Sequence, residues 1–481
     1  MTTAEGASQR APASEERTDA RSRANGHGVS AVSDLPVRLD AVPGPGLATR
    51  AAAVLRANGV GSMTRAAPAL YPHQWSWDAA FVSVGLAHLD PARACAELDH
   101  LFRGQWRTGM LPHIVFDPGE HTYFPGPDRW GCAEVTDDAP VAPRTSGICQ
   151  PPVHALAVER IGALAERRGP AAAARVRDWL PGAYRRLLAW HRYLVRERDP
   201  RGTGLLTIHH GWESGMDNSP RWDGPYSRVT VDPDLPPYRR RDTRVVRDPA
   251  QRPTRLEYDR YLSGVEELRR AGYDDARIRA TGGVLVTDVF ASAVLAAASE
   301  ALAGIARILG ADEVAELEEH AERFRAGVAG SVDAGLGLAL DTDLRTGEPL
   351  RVETVAGFAP LLCGGLQPAA EREMVALLRS ERWTGHPGLR HAVLPSTSPA
   401  SPAFRPRAYW RGPTWPVVDW FVVWMLERRS RADVAGPLRR AVLDQLAEGS
   451  FAEYYEPFTG EPLGSAAQSW TAAAALDLLS S

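Results

Sequence analysis

No lysine occurs among the 481 residues, so all 55 cationic side chains are arginine. With the abundant Ala and Pro, this marks a GC-rich coding bias under which a lone Arg says little about function. Cysteine is nearly as scarce, at four residues: Cys95, Cys132, Cys149 and Cys363. None stands in a close CxxC pair, which argues against a structural zinc site, and a chain of this length needs no disulfide scaffold. Excess charge is missing too. A net charge of −4 leaves no basic field for nucleic acid or an anionic lipid surface. The N-terminus carries Glu, Arg and Asp with no apolar core, so no secretory signal is expected. No run is read as reaching the roughly 18 apolar residues of a membrane span. The expectation is a soluble cytoplasmic protein with no metal, no cofactor, no nucleic-acid partner and no membrane, and with a homo-oligomer compatible with it.

What is present is an ordinary globular composition, 44% apolar and 24% charged. Residues 1–40 are rich in Ala, Ser, Arg, Glu and Gly and predict a disordered tail. From Leu47 onward (domain boundary at 41) helical patterns dominate, at about 47–58, 78–88, 91–102, 151–166, 172–195, 288–309, 312–331, 412–428, 431–448 and 467–480. Several pair an apolar helix with an amphipathic neighbour, and the 288–309 run is apolar nearly all round, as a helix buried between helices must be. Inner and outer rings of six helices explain that pairing. Hairpins with a Thr-Gly-Glu turn interrupt at 335–350 and 454–463, and no βαβ alternation points to a Rossmann or TIM architecture. Residues 220–282, rich in Arg, Asp and Pro, predict a long loop or small subdomain over one face, as lids and binding loops are built.

Five aromatic stretches carry chemistry. Tyr71-Pro-His-Gln-Trp-Ser-Trp-Asp78 combines Tyr71, Trp75, Trp77 and Asp78 at a helix entry. It suits a sugar, whose C–H faces lie on aromatic rings and whose hydroxyls need carboxylate or amide partners. The competing reading is an N-capping Asp with tryptophans in the core. The stretch 105–113 adds Gln105 and a lone His113, a residue more often structural than catalytic. The third, 211–222, sets Glu213 and Asp217 four apart between Trp212 and Trp222. A carboxyl walled by Trp and Met has its pKa raised by desolvation, which suits a general acid. The alternative is an Asp that caps a helix and a Glu213 paired to Arg221. The fourth, Tyr409-Trp-Arg-Gly-Pro-Thr-Trp-Pro416, offers Tyr409, Trp410, Arg411 and Trp415 as pocket or core. The fifth, 451–470, offers Glu453 and Glu456. Alternation along a strand puts these two on opposite faces, so only one of them points into a pocket.

Taken together and in this order, QWSWD, ESGMDNSPRWD, YWRGPTW and EYYEPFTGEPLG resemble glycoside hydrolase family 63, and within it the bacterial mannosylglycerate and glucosylglycerate hydrolases. The likeness runs from about residue 47 to the C-terminus. It implies an (α/α)6 toroid and hydrolysis of an α-linked sugar with inversion. It implies Asp217 as general acid and Glu453 as general base. It makes Tyr71, Trp75, Trp77, Asp78, Gln105, Arg411 and Trp415 binding candidates, to which Trp212, Glu213, Tyr409 and Trp410 are added. Glucosylglycerate is favoured as substrate by the GC-rich composition, beside mannosylglycerate, trehalose and small α-glucosides. The Arg-rich 225–282 region does not match residue by residue, so the likeness names no arginine for a glycerate carboxylate. Two other classes remain on the same fold. A sugar epimerase would use a His pair such as His209-His210, and a non-catalytic sugar binder would need no acid at Asp217.

Overall fold

The computed structural model describes residues 46–480. The tail expected at 1–40 lies outside the described residues. Twelve helices among the described residues build two concentric rings. The chain alternates outer and inner elements: α1 (Leu47–Asn58), α2 (Ser76–Leu89), α3 (Pro91–Arg103), α4 (His154–Arg168), α5 (Pro170–Tyr193), α6 (Val289–Leu309), α7 (Val314–Gly330), α8 (Ala359–Cys363), α9 (Pro368–Leu378), α10 (Pro416–Arg428), α11 (Ala432–Glu448) and α12 (Ser469–Ser480). The even-numbered helices pack α2 on α4, α4 on α6, α6 on α8, α8 on α10, α10 on α12 and α12 back on α2, which closes an inner ring. The last helix, the inner α12, also packs on the first, the outer α1, so the two ends of the described chain meet. This is an (α/α)6 toroid.

Sequence dictates which helix goes inside. Helix α2 buries every residue from Ser76 to Ala87, and α12 every residue from Ser469 to Leu479. Outer helix α7 buries only Leu317, His320, Ala321, Phe324 and Val328, the single stripe of an amphipathic helix. By length and hydropathy Val289–Leu309 is long and apolar enough to cross a membrane, which corrects the sequence reading, but 89% of its apolar window is buried inside the protein. It is the core helix of the ring. Local signals set the ends. Asp90 caps α3, taking the Ala92 N–H at 2.9 Å ahead of Pro91. Asp288 caps α6 through the Ala291 N–H at 2.9 Å, and Gly310 ends it with φ 65°.

Because each inner helix is reached by an outer one that returns, all inner N-termini lie at one end of the ring. The aromatic stretches sit just ahead of these N-termini: 71–78 at α2, 409–415 at α10 and 451–468 at α12. A four-stranded antiparallel sheet joins Leu206–Ile208 and Val286–Asp288, from the α5–α6 connection, to Thr342–Asp343 and Glu348–Pro349, from the α7–α8 connection. Residues 220–282 contain short helices and one long one, Arg255–Arg270. The Thr254 hydroxyl and the Glu257 carboxylate form a reciprocal capping box at its start.

Candidate active site

The loop that carries Asp217 is built from strand Leu206–Ile208, which leads through His209 and His210 into a 3-10 turn at Gly211–Ser214. Gly215 follows with φ 69°, and a Cβ there would lie 2.7 Å from the Trp77 ring, so only glycine passes. The Ser219 N–H and the Trp222 indole N–H both donate to the Met216 carbonyl, at 3.1 and 2.9 Å. Asp217 projects from the loop so fixed, and it keeps more exposure than any other residue between Gly211 and Trp222.

The opposite wall is the hairpin Tyr454–Tyr455/Pro462–Leu463. Glu453 enters it. Its Oε2 accepts the Ser465 N–H at 2.9 Å and its Oε1 accepts the Tyr71 hydroxyl at 2.8 Å. Gly464, at φ 71°, passes so close that any Cβ would collide with the Glu453 carboxylate. Glu456 faces the turn instead, accepting the Phe458 N–H at 3.0 Å and the Thr459 hydroxyl at 2.6 Å.

Two phenols and a guanidinium join the walls. Tyr409 donates to Asp217 Oδ2 at 3.5 Å and lies 3.2 Å from the Tyr71 hydroxyl. Contacts of 3.5, 3.2 and 2.8 Å thus lead from Asp217 through Tyr409 and Tyr71 to Glu453. Their sum, about 9.5 Å, is the widest that Asp217 Oδ2 and Glu453 Oε1 can stand apart, and it is the upper end of the roughly 6.5–9.5 Å of inverting hydrolases. The backbone of Tyr409 is strained at φ 33°. Arg252 lies over its ring at 3.8 Å, donates to the Tyr71 hydroxyl at 2.9 Å and sits 3.8 Å from Glu453. The buried Arg252 Nη1 has no hydrogen-bond partner.

Burial pushes the Asp217 carboxyl up to about 7; Arg252 opposes that rise and Glu453 adds to it. Burial also raises Glu453, against the pull of Arg252 and the Ser465 N–H. Asp78, in the first turn of α2, is raised well above the usual carboxylate range by burial and by the charge of Glu453. Among the described residues no three His, Cys, Asp or Glu side chains are grouped to hold a metal ion.

The structure brings Tyr71, Trp75, Trp212, Asp217 and Tyr409 together around one cavity. It sets several other candidates back from it. Trp77 is buried behind, edge-on to Phe81 and Trp470. Trp410 stacks on Trp415 at 3.6 Å, and Trp415 stacks in turn on Tyr454 at 4.6 Å. Arg411 pairs with Asp223 at 2.8 Å. Gln105 is remote, holding the Gly109 and Arg186 carbonyls at 2.9 and 2.8 Å. Glu213 is locked to Arg198 at 2.8 and 2.9 Å, not to Arg221, whose partner is Asp341 at 2.7 Å. Burial would raise Glu213, yet Arg198 holds it at about 2. Beside Tyr123, the cavity adds Arg252, Tyr258 and Tyr261, which the sequence did not single out for binding. In a chain whose every cation is Arg, only the fold distinguishes Arg252.

Residues 71–471 match the mannosylglycerate hydrolase MGH1-like glycoside hydrolase domain. The chain is 52% identical over 439 residues to a glucosylglycerate hydrolase of Mycolicibacterium hassiacum, covering 90% of this chain and 97% of that one. It is 42% identical over 428 residues to a mannosylglycerate hydrolase of Thermus thermophilus, covering 89% and 99%. The crystal structure of a family 63 mannosylglycerate hydrolase from Thermus thermophilus, in complex with Tris and D-glycerate, superposes with a TM-score of 0.81 at 42% identity, over 89% of this chain and 99% of that one. The chain belongs to this glycoside hydrolase family.

Proposed function

From membership of the mannosylglycerate hydrolase-like glycoside hydrolases, we propose that this enzyme hydrolyses an α-glycoside of glycerate with inversion, with glucosylglycerate as its first substrate and mannosylglycerate as its second. The observation that carries the mechanism is the chain of contacts from Asp217, on the cavity wall, through Tyr409 and Tyr71 to Glu453 just behind it, while Glu213 and Glu456 are committed elsewhere. In the proposed cycle, neutral Asp217 gives its proton to the glycosidic oxygen. A water on the opposite side of the sugar ring loses a proton to ionised Glu453 as its oxygen bonds to the anomeric carbon. The bond to glycerate breaks and a β-sugar leaves. A carboxyl held at about 7 is still about half protonated at neutral pH, where an ordinary Asp would have lost its proton.

Arg252 supports the glycerate half of the proposal. It is buried, lines the cavity and keeps one nitrogen without a hydrogen-bond partner, which suits a carboxylate. Glucosylglycerate ranks before mannosylglycerate because the relative at 52% identity acts on it, against 42% for the other. The test is a panel of glucosylglycerate, mannosylglycerate and trehalose, with NMR detection of the first-formed anomer. The expected result is turnover of the first two with the β-anomer appearing first. An α-anomer first would refute inversion, and preference for trehalose would refute the glycerate aglycone. Asp217→Asn should lower kcat by about 10²-fold or more while glucose binding, measured by calorimetry, stays within a few fold.

A further inference from the structure

The most heavily hydrogen-bonded carboxylate beside the cavity belongs to a residue with no part in the proposed proton transfers. Glu213 Oε1 accepts from Arg198 Nη2 at 2.8 Å, the Cys149 N–H at 3.2 Å and the Cys149 thiol at 3.4 Å. Its Oε2 accepts from Arg198 Nη1 at 2.9 Å and the His209 N–H at 2.6 Å. Every partner of either oxygen is a donor. The group ties together segments remote in sequence. Arg198 ends the π-helical turn Leu194–Arg198 that follows α5. Its Nε lies 2.9 Å from Asp275, which begins the last helix of the 220–282 insertion and accepts the Tyr193 hydroxyl at 2.7 Å. Cys149 lies just ahead of α4, and His209 leads into the turn that carries Asp217. One guanidinium thus fastens the acid loop and the base of the insertion to the outer ring.

We infer that Glu213 is a positioning residue for the acid: its ionised carboxylate, clamped by Arg198, fixes the turn from which Asp217 projects. The inference rests on the proposed acid role of Asp217. An amide cannot replace the carboxylate, because whichever way it is turned its NH2 meets two or more donors. Substitution by Gln therefore makes the turn move, and a displacement of about 1 Å at a catalytic group can cost on the order of 10²-fold in rate.

The experiment compares glucosylglycerate with α-glucosyl fluoride, whose fluoride leaves without a proton, in Glu213→Gln, Glu213→Asp and Asp217→Asn. Glu213→Gln is expected to lose about 10²-fold in kcat/KM on the glycoside and less than about fivefold on the fluoride, the split that loss of an acid produces. Glu213→Asp keeps two acceptor oxygens but draws them back, and it should show a weaker split. Glucose affinity, measured by calorimetry, should stay within a few fold. In the two Glu213 variants the alkaline limb of kcat/KM should move to lower pH, because a loosened Asp217 is better hydrated. Equal losses on both substrates, an unaffected glycoside rate or an unmoved alkaline limb overturns the inference. If Asp217→Asn itself shows no split, the acid assignment fails instead.

Discussion

Tyr71 donates a 2.8 Å hydrogen bond to Glu453 Oε1, and its oxygen in turn accepts from Arg252 at 2.9 Å. The phenol therefore passes part of the arginine's positive field to the proposed base. Tyr71→Phe removes that donor and leaves Glu453 with the Ser465 N–H. A hydrogen bond to a charged group contributes about 1.5–3 kcal/mol, or roughly one to two pH units. Loss of a donor disfavours the carboxylate, so the acid limb of kcat/KM should move to higher pH by about that much. An unmoved limb would separate Tyr71 from the base.

How much of this was legible in sequence depends on the range over which each signal acts. Helix ends are local, so Asp288 and Gly310 bounded α6 before any coordinates. The helix Arg255–Arg270 was hidden in an Arg-rich region although Thr254 and Glu257 spell its capping box. Alternation placed Glu453 and Glu456 on opposite faces but not which one meets the side chains that wall the cavity. That choice is made by the Thr459 turn, which occupies Glu456, and by Tyr71, which is 382 positions from Glu453. Aromatic spacing likewise does not tell a ring that lines a cavity, such as Trp75, from one that backs it, such as Trp77.

Gly464 tests how closely the base is seated. A methyl there would collide with the Glu453 carboxylate, and the backbone φ of 71° is itself unfavourable for any L side chain. Gly464→Ala should lower kcat/KM by about 10²-fold through displacement of the base and should lower Tm by several degrees. Near-wild-type kinetics with a lowered Tm would mean that the hairpin absorbs the methyl without moving Glu453.

Asp419 predicts a pH-dependent stability unconnected with catalysis. It is fully buried in the first turn of α10, where one oxygen accepts the Leu394 N–H at 2.8 Å and the other has no hydrogen-bond partner. Burial pushes its carboxyl up to about 8. The folded pKa lies above the unfolded value of about 3.9, so its contribution is full below the lower value and is lost as pH rises through the upper one. Asp419→Asn removes this titration. Across pH 5 to 8 the wild type should therefore lose stability relative to the variant, on the order of a few kcal/mol and read as a falling Tm, and the gap should level off above pH 8. A gap of equal size at pH 5 and pH 9 would show that Asp419 does not titrate in the folded protein.

Arg252 serves two ends, and its replacement has to be read on two substrates. It stacks on Tyr409 at 3.8 Å and lowers the pKa of Glu453, so Arg252→Met should raise the acid limb for every substrate. Its Nη1, 3.8 Å from Glu453 and without a hydrogen-bond partner, can in addition take an aglycone carboxylate where one is present. Measured on the plateau above that limb, the variant should lose about 10- to 150-fold in kcat/KM on glucosylglycerate, the equivalent of 1.5–3 kcal/mol. A small α-glucoside without a carboxylate should lose only a few fold. The two effects have separate signatures, since one moves with pH and the other with the charge of the aglycone. Equal losses on both substrates at plateau pH would leave Arg252 with its electrostatic role and send the search for the glycerate partner to Arg241, the second arginine on the cavity wall.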